Sequence, residues 1–327
     1  MTKPKDRAAF LGREGGLVYG GTTWKFCSQD VPPGRLDLLV VEEAGQFSLA
    51  ATVGAGVAAR RLLLVGDPQQ LPQVSQASHP EAVDESALAW LMEGAATIGA
   101  ERGYFLATSF RMHPALCARV SQLSYSGRLQ AAGVAADREL TGVAPGLGVV
   151  TVPHVGNSVQ SPQEADEVVA HVVRLLGTPW RGRLNRAPRP LEETDVLVVA
   201  PYNAQVGLIK ERLAAAGLSA VSVGTVDKFQ GRQAPVVIMS MTASSRGDVP
   251  RGMGFLLMRN RINVAISRAM WSAVIIRSDA LTAYLPATVD SFMELGAFLS
   301  LCDGAAWKRL ITPPTTSVMT TPIGTSH

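Results

Sequence analysis

The chain has 327 residues, 47% of them hydrophobic and 17% charged, which exceeds one ordinary core and points to two globular domains. Its net charge of +3 permits nucleic-acid partners without demanding them, although only six of the 30 basic residues are lysine and arginine favours bidentate phosphate contacts. No stretch approaches the roughly 18 apolar residues of a membrane span, the first residues lack the apolar run of a signal peptide, and Cys27, Cys117 and Cys302 form no CxxC pair, so a membrane or disulfide-stapled protein is excluded and a cytoplasmic one with reduced thiols is expected.

In chain order, Leu17-Val18-Tyr19 reads as a strand breaking into Gly20-Gly21-Thr22-Thr23, which is either a backbone loop for an anion or a plain βα turn. Two leucine- and valine-rich runs follow, ending in Val41-Glu42-Glu43-Ala44-Gly45-Gln46 and in Val65-Gly66-Asp67-Pro68-Gln69-Gln70-Leu71-Pro72. Each has the pattern of a strand buried on both faces of a parallel sheet, with chemistry at its carboxyl end. Two adjacent carboxylates leaving one strand suggest a metal ligand and a water-orienting base. The amide side chains leaving the other can reach the same phosphate. A small-residue helix over 48–60 joins the two runs.

Residues 84–100 predict a helix with Leu88, Leu91 and Met92 on one face, and Pro114 is placed to open another over 115–123. Residues 127–165 read as an irregular connection with one strand at 148–153, followed by an amphipathic helix over 164–176. Residues 177–194, basic and broken by proline, read as a solvated loop. The βα rhythm then resumes: strand 195–200, helix 204–216, strands 220–223 and 236–241, a helix carrying Asn260 to Ala269, and strand 273–276. That alternation predicts parallel sheets covered by helices. The Thr/Pro-rich end from Thr312 predicts disorder.

Six runs now stand in one order: Val-Glu-Glu-Ala-Gly-Gln, Gly-Asp-Pro-Gln-Gln-Leu-Pro, Phe-Arg-Met-His-Pro, Ala-Pro-Tyr-Asn-Ala-Gln, Thr-Val-Asp-Lys-Phe-Gln-Gly and Asn-Val-Ala-Ile-Ser-Arg-Ala. The set resembles superfamily 1 helicases, and within them the Upf1/DNA2/NAM7-like group, over about residues 15–280. It is most similar to bacterial members in which the helicase follows a RecB-like nuclease domain, and no nuclease is visible in these residues. The resemblance implies an α/β P-loop NTPase fold with a partial RecA-like domain over 1–102, a complete one over 103–303 and a disordered tail over 304–327. It also implies ATP hydrolysis coupled to movement along single-stranded DNA or RNA.

By matching position, the resemblance places Glu42 where the family holds Mg²⁺ and Glu43 where it polarises the attacking water. Gln70 falls at the γ-phosphate sensor, and Arg111 and Arg268 at the two arginines that reach the γ-phosphate from the second domain. Gly231 and Gln233 match the nucleotide-binding segment, and Thr22 and Thr225 match nucleic-acid backbone contacts. Three positions depart from the pattern: Glu42 replaces the usual Asp, Gln233 the usual ribose-binding Glu, and Ser109-Phe110 the common Gln-Tyr. A larger departure is that no Gly-x-x-x-x-Gly-Lys-Ser/Thr occurs among the 327 residues. The resemblance sets that P-loop upstream of Thr22, so Met1 is expected to fall inside the first RecA-like domain. The reading is therefore the C-terminal part of an ATP-dependent helicase. The alternatives are a non-catalytic remnant that binds nucleic acid or a partner, and one half of a split enzyme completed by a polypeptide carrying the P-loop.

Overall fold

The computed structural model describes residues 7–71, 81–183 and 185–305. Its centre is a five-stranded, all-parallel sheet of β3 (Gly146–Thr151), β4 (Val196–Val199), β5 (Ser222–Gly224), β6 (Ala234–Ser240) and β7 (Ala269–Arg277), in the order β5-β4-β6-β7-β3. All four residues of β4 and all seven of β6 are buried, which is why these strands read as unbroken apolar runs. Alternate side chains feed two cores. Leu197, Val199, Val237, Met239 and Ile275 pack under α4 (Pro114–Ser124), α7 (Arg259–Ile266) and α8 (Val289–Cys302). Val196, Val198, Val236, Ile238 and Val274 pack under α5 (Pro162–Leu175) and α6 (Asn203–Ala215). Helix starts follow local chemistry: Pro114 and Pro162 occupy first turns, and the Ser161 hydroxyl accepts from the Glu164 amide.

Ahead of this sheet stands a parallel pair, β1 (Leu39–Glu42) and β2 (Leu62–Val65), joined through α2 (Leu49–Gly56), whose Ser48 cap accepts from Ala51. α1 (Thr23–Phe26), α2 and α3 (Ala87–Met92) accompany the pair, and Leu39, Val41 and Leu64 face them. Here the expectation of burial on both faces fails. Leu38, Val40, Leu62, Leu63 and Val65 are each 43–52% exposed, because none of the described residues covers the second face.

Other expectations are corrected as well. Residues 17–19 form no strand, and the helix expected over 84–100 spans only Ala87–Met92, ended by Glu93 in the left-handed region (φ 49°). The basic stretch 177–194 is not simply solvated. Pro179–Arg181 and Arg189–Pro190 make a small antiparallel sheet with Glu139–Leu140, with Trp180 buried edge-on to Trp271 and the Arg189 guanidinium forked onto Asp195. Polar turn residues hid those few apolar anchors. The connection 127–165 also holds the strand Gln130–Ala131, paired with Thr108–Ser109, besides β3. α8 was not anticipated. The expected tail lies outside the described residues from position 306 onward.

Candidate functional site

The carboxyl ends of β1 and β2 are pressed together. Glu43 leaves β1 in the left-handed region (φ 55°, ψ 39°), unusual for a residue with a side chain, and starts the single turn Ala44–Gln46. A Cβ on Gly45 would lie 2.6 Å from the Asp67 carbonyl oxygen, and one on Gly66 would lie 2.7 Å from the Ala44 nitrogen. Both glycines are therefore required by backbone-to-backbone approach. That contact sets the Glu43 turn beside Asp67, and the Gln46 amide donates to Glu43 Oε2 at 3.2 Å.

Asp67 anchors the second turn. Its Oδ1 accepts from the Gln69 amide at 2.9 Å, and its Oδ2 accepts from the Tyr125 hydroxyl at 2.6 Å and from Gln70 Nε2 at 3.4 Å. Burial, reinforced by Asp67, holds the Tyr125 hydroxyl protonated well past the ordinary phenol range. From α7, Asn260 Nδ2 donates to the carbonyls of Pro68 and Gln70, and Asn263 Nδ2 to those of Gln69 and to the Tyr125 oxygen. The whole Gly-Asp-Pro-Gln-Gln turn is thus clamped onto helices that belong to the five-stranded unit.

The arginines arrive beside that clamp, at the amino ends of the central strands. Arg268 immediately precedes β7 and Gln233 immediately precedes β6, so both sit at the amino ends of strands. Arg268 is buried (3% exposed), its Nε donates to the Val264 carbonyl at 3.0 Å, and among the described residues it forms no ion pair. Burial and the neighbouring Arg111 lower its pKa to about 10, while Tyr125, Asp67 and Glu43 lie near enough to oppose that fall. Arg111 donates through Nε to Gln233 Oε1 (3.3 Å) and through Nη1 to the Ser267 carbonyl (3.1 Å), and burial lowers its pKa too. Arg138 donates to the carbonyls of Phe110 and Arg111 and braces that backbone.

Glu43, Gln70, Arg111, Gln233 and Arg268 therefore gather in one region. Arg268, with Arg111 beside it, lies within electrostatic reach of Asp67 and Glu43, and the Gln70 Oε1 and Asn263 Oδ1 acceptors are buried without a partner among the described residues. The guanidiniums mark a place for an anionic ligand, and the two orphaned acceptors a place for water or another donor. Glu42 ends β1 with an exposed side chain, and among the described residues no cluster of three metal-ligating side chains occurs. One or two hard carboxylate oxygens still fit Mg²⁺, which takes the rest of its shell from water and phosphate. A cavity of about 700 Å³ runs instead along β1 and the 15–21 segment, with Glu42 alone of the site residues in its wall; the polar convergence, not this cavity, defines the site.

Gly231 adopts φ +75°, which suits glycine, and opens the approach to Gln233. Thr22 and Thr225 stand apart from the arginines. Thr22 is exposed ahead of α1, and Thr225 precedes the turn Val226–Phe229 beyond the carboxyl end of β5; neither hydroxyl is used in capping. Sequence reasoning gave no role to Asp67, Tyr125, Asn260 or Asn263. Asp67, Asn260 and Asn263 lie in or beside quoted motifs and were open to notice, whereas nothing around Tyr125 distinguishes it.

Residues 83–280 match the protein family described as the AAA domain. "DNA-binding protein SMUBP-2" of Rattus norvegicus is 30% identical over 288 residues, covering 81% of this chain and 27% of that protein. "DNA replication ATP-dependent helicase/nuclease DNA2" of Gallus gallus is 26% identical over 248 residues, covering 74% of this chain and 23% of its own length. Among solved structures, the arterivirus nonstructural protein 10 (helicase) aligns with a TM-score of 0.36 at 18% identity, over 72% of this chain and 38% of that one. The chain spans about a quarter of the length of these curated relatives. Among the described residues no helix is long and apolar enough to cross a membrane.

Proposed function

The chain belongs to the AAA-domain family, within the Upf1/DNA2-like group of superfamily 1 helicases, and from that premise we propose that it forms part of an ATP-driven motor acting on single-stranded DNA or RNA. The observation that carries the proposal is the buried Arg268 guanidinium, without an ion pair among the described residues, with the half-buried Arg111 beside it and Asp67 and Glu43 within electrostatic reach. Such a pair is poorly suited to holding a fold together, since a buried cation without a counter-ion is unfavourable. It is well suited to charge that develops on a transferring phosphoryl group, where preorganised donors contribute most.

In this reading Glu43 accepts the proton of the attacking water, and Gln46 together with the pinned Glu43 backbone sets the carboxylate's direction. Gln70 senses the terminal phosphate by turning its Nε2, lent to Asp67 over a long 3.4 Å bond, onto a phosphate oxygen. Arg111 and Arg268 offset the developing negative charge. Glu42 would hold Mg²⁺, which supplies Lewis-acid polarisation of phosphate oxygens when bound. Gly231 and Gln233 line the nucleotide side, with Gln233 exchanging its Arg111 contact for the ribose. Thr22 and Thr225 meet the nucleic-acid backbone, a sequence-independent contact. We divide the chain into RecA-like units over 1–102 and 103–303. Because the 327 residues hold no P-loop lysine, a further segment, on this or another polypeptide, supplies the phosphate cradle; a RecB-like nuclease is the partner that the resemblance suggests.

The test compares the 327-residue chain alone with the chain joined to a P-loop-bearing segment. Alone it should hydrolyse ATP no faster than buffer, with or without single strands. In the joined form Arg268→Lys keeps the charge but loses the planar fork, and kcat should fall by about three orders of magnitude with little change in nucleotide binding. Near-normal turnover by the lysine variant would make Arg268 structural and remove the basis of the proposal.

A further inference from the structure

A second cationic assembly lies at the other end of the five-stranded sheet. Tyr202 follows β4, Asp227 follows β5, Arg251 and Phe255 follow β6, and Arg261 reaches the same place from α7. β6 is seven residues long, so about 23 Å of strand separates this end from the Gln233 end. The Arg251 guanidinium carbon stands 3.9 Å from the centre of the Phe255 ring and that of Arg261 stands 4.3 Å from it. The Tyr202 ring packs on Phe255 as well, with centroids 5.9 Å apart.

This arrangement carries more positive charge than it neutralises. Among the described residues the carboxylate paired with it is Asp227, on a largely exposed side chain 3.9 Å from Arg261. Arg251 is exposed and forms no ion pair among the described residues. Tyr202 is only 8% exposed, yet among the described residues its hydroxyl has no hydrogen-bond partner, and neither does the buried Nε of Arg261. Both arginines act electrostatically on the Tyr202 phenol, so the hydroxyl and the two guanidiniums share one locality. Burial, followed by weaker effects that include Arg251, pulls the Arg261 pKa below its ordinary value, as expected of a cation awaiting an anion.

We propose that Arg251, Arg261 and Tyr202 form a subsite for one phosphodiester of a single nucleic-acid strand, with Phe255 as the plate that holds both guanidiniums in place. The proposal rests on the nucleic-acid reading above and adds residues to it. Two guanidinium forks and a hydroxyl supply N–H and O–H donors to the two free oxygens of a phosphodiester. The Phe255 ring is already engaged by cations, so the contact reads backbone and not base. Thr225 lies two residues from Asp227, directly after β5.

Anisotropy titration of the 327-residue chain with a labelled oligothymidine of about 20 nucleotides, between about 50 and 200 mM salt, tests this. One lost phosphate contact on a single strand lowers the salt slope by about 0.7, or about fivefold in affinity near 0.1 M salt. Arg251→Gln should show that loss with an unchanged melting curve, because the side chain is exposed. Arg251→Lys should recover most of the slope, and adding Arg261→Gln should double the effect on the logarithmic scale. An Arg251→Gln protein that binds with wild-type affinity and slope overturns the subsite while leaving the nucleic-acid reading intact. Failure of the wild-type chain to bind at the lowest salt overturns both. Arg251-dependent binding of oligoglutamate, with oligothymidine binding indifferent to the substitution, would assign the site to an acidic peptide and refute the inference.

Discussion

Replacing Tyr125 with phenylalanine deletes one oxygen from a buried junction. That oxygen donates to Asp67 Oδ2 at 2.6 Å and accepts from Asn263 at 3.1 Å. The ring stays packed against Phe105, so little hydrophobic burial is lost. A hydrogen bond to a charged group contributes about 1.5–3 kcal/mol, and Asp67 keeps only the Gln69 amide and a long Gln70 contact, so Tyr125→Phe should destabilise the protein by about 2 kcal/mol. With a urea m-value of about 3 kcal/mol/M, the midpoint should fall by about 0.7 M. A double-mutant cycle with Asp67→Asn should return a coupling of about 1 kcal/mol or more, since the pair is in direct contact. The alkaline limb gives an independent reading. Tyr125 holds its proton more tightly folded than unfolded, so its contribution is fully present below about pH 10, where the unfolded phenol ionises, and is lost as the pH rises further. Tyr125→Phe should flatten that limb. A midpoint shift equivalent to less than about 0.5 kcal/mol, with no coupling to Asp67, would refute the claim that this bond ties the β2 turn to the five-stranded unit.

Gly66→Ala forces a Cβ to within 2.7 Å of backbone nitrogen, where no side chain can yield; calorimetry should show a loss of about 1–3 kcal/mol, and an unchanged melting curve would mean that the two strand ends are not in close contact. The β1–β2 pair shows apolar side chains on its second face, whereas β4 and β6 are fully buried, so limited proteolysis should leave a resistant fragment beginning near residue 103. Equal protection of both parts would count against that division of the chain.

The sequence by itself determined the local chemistry. Apolar runs alternating with helices marked β4 and β6 as strands of a helix-covered parallel sheet, Pro114 and Pro162 marked helix starts, and the six ordered motifs carried the family and the residues now found near Arg268. These signals are legible because they depend on neighbours a few positions away, or on strings short enough to read whole. What only the tertiary structure decided depends on residues far apart in the chain. Asp67 meets Tyr125 across 58 positions, Arg111 meets Gln233 across 122, and Asn263 meets the Gln69 carbonyl across 194. The same holds for the burial of Arg268 without a counter-ion, the convergence of Arg251 and Arg261 on Phe255, and the exposed second face of β1 and β2, whose sequence reads like that of any covered strand. Periodicity reports which residues favour burial; only packing decides what arrives to bury them, and which charges are left facing each other when it does.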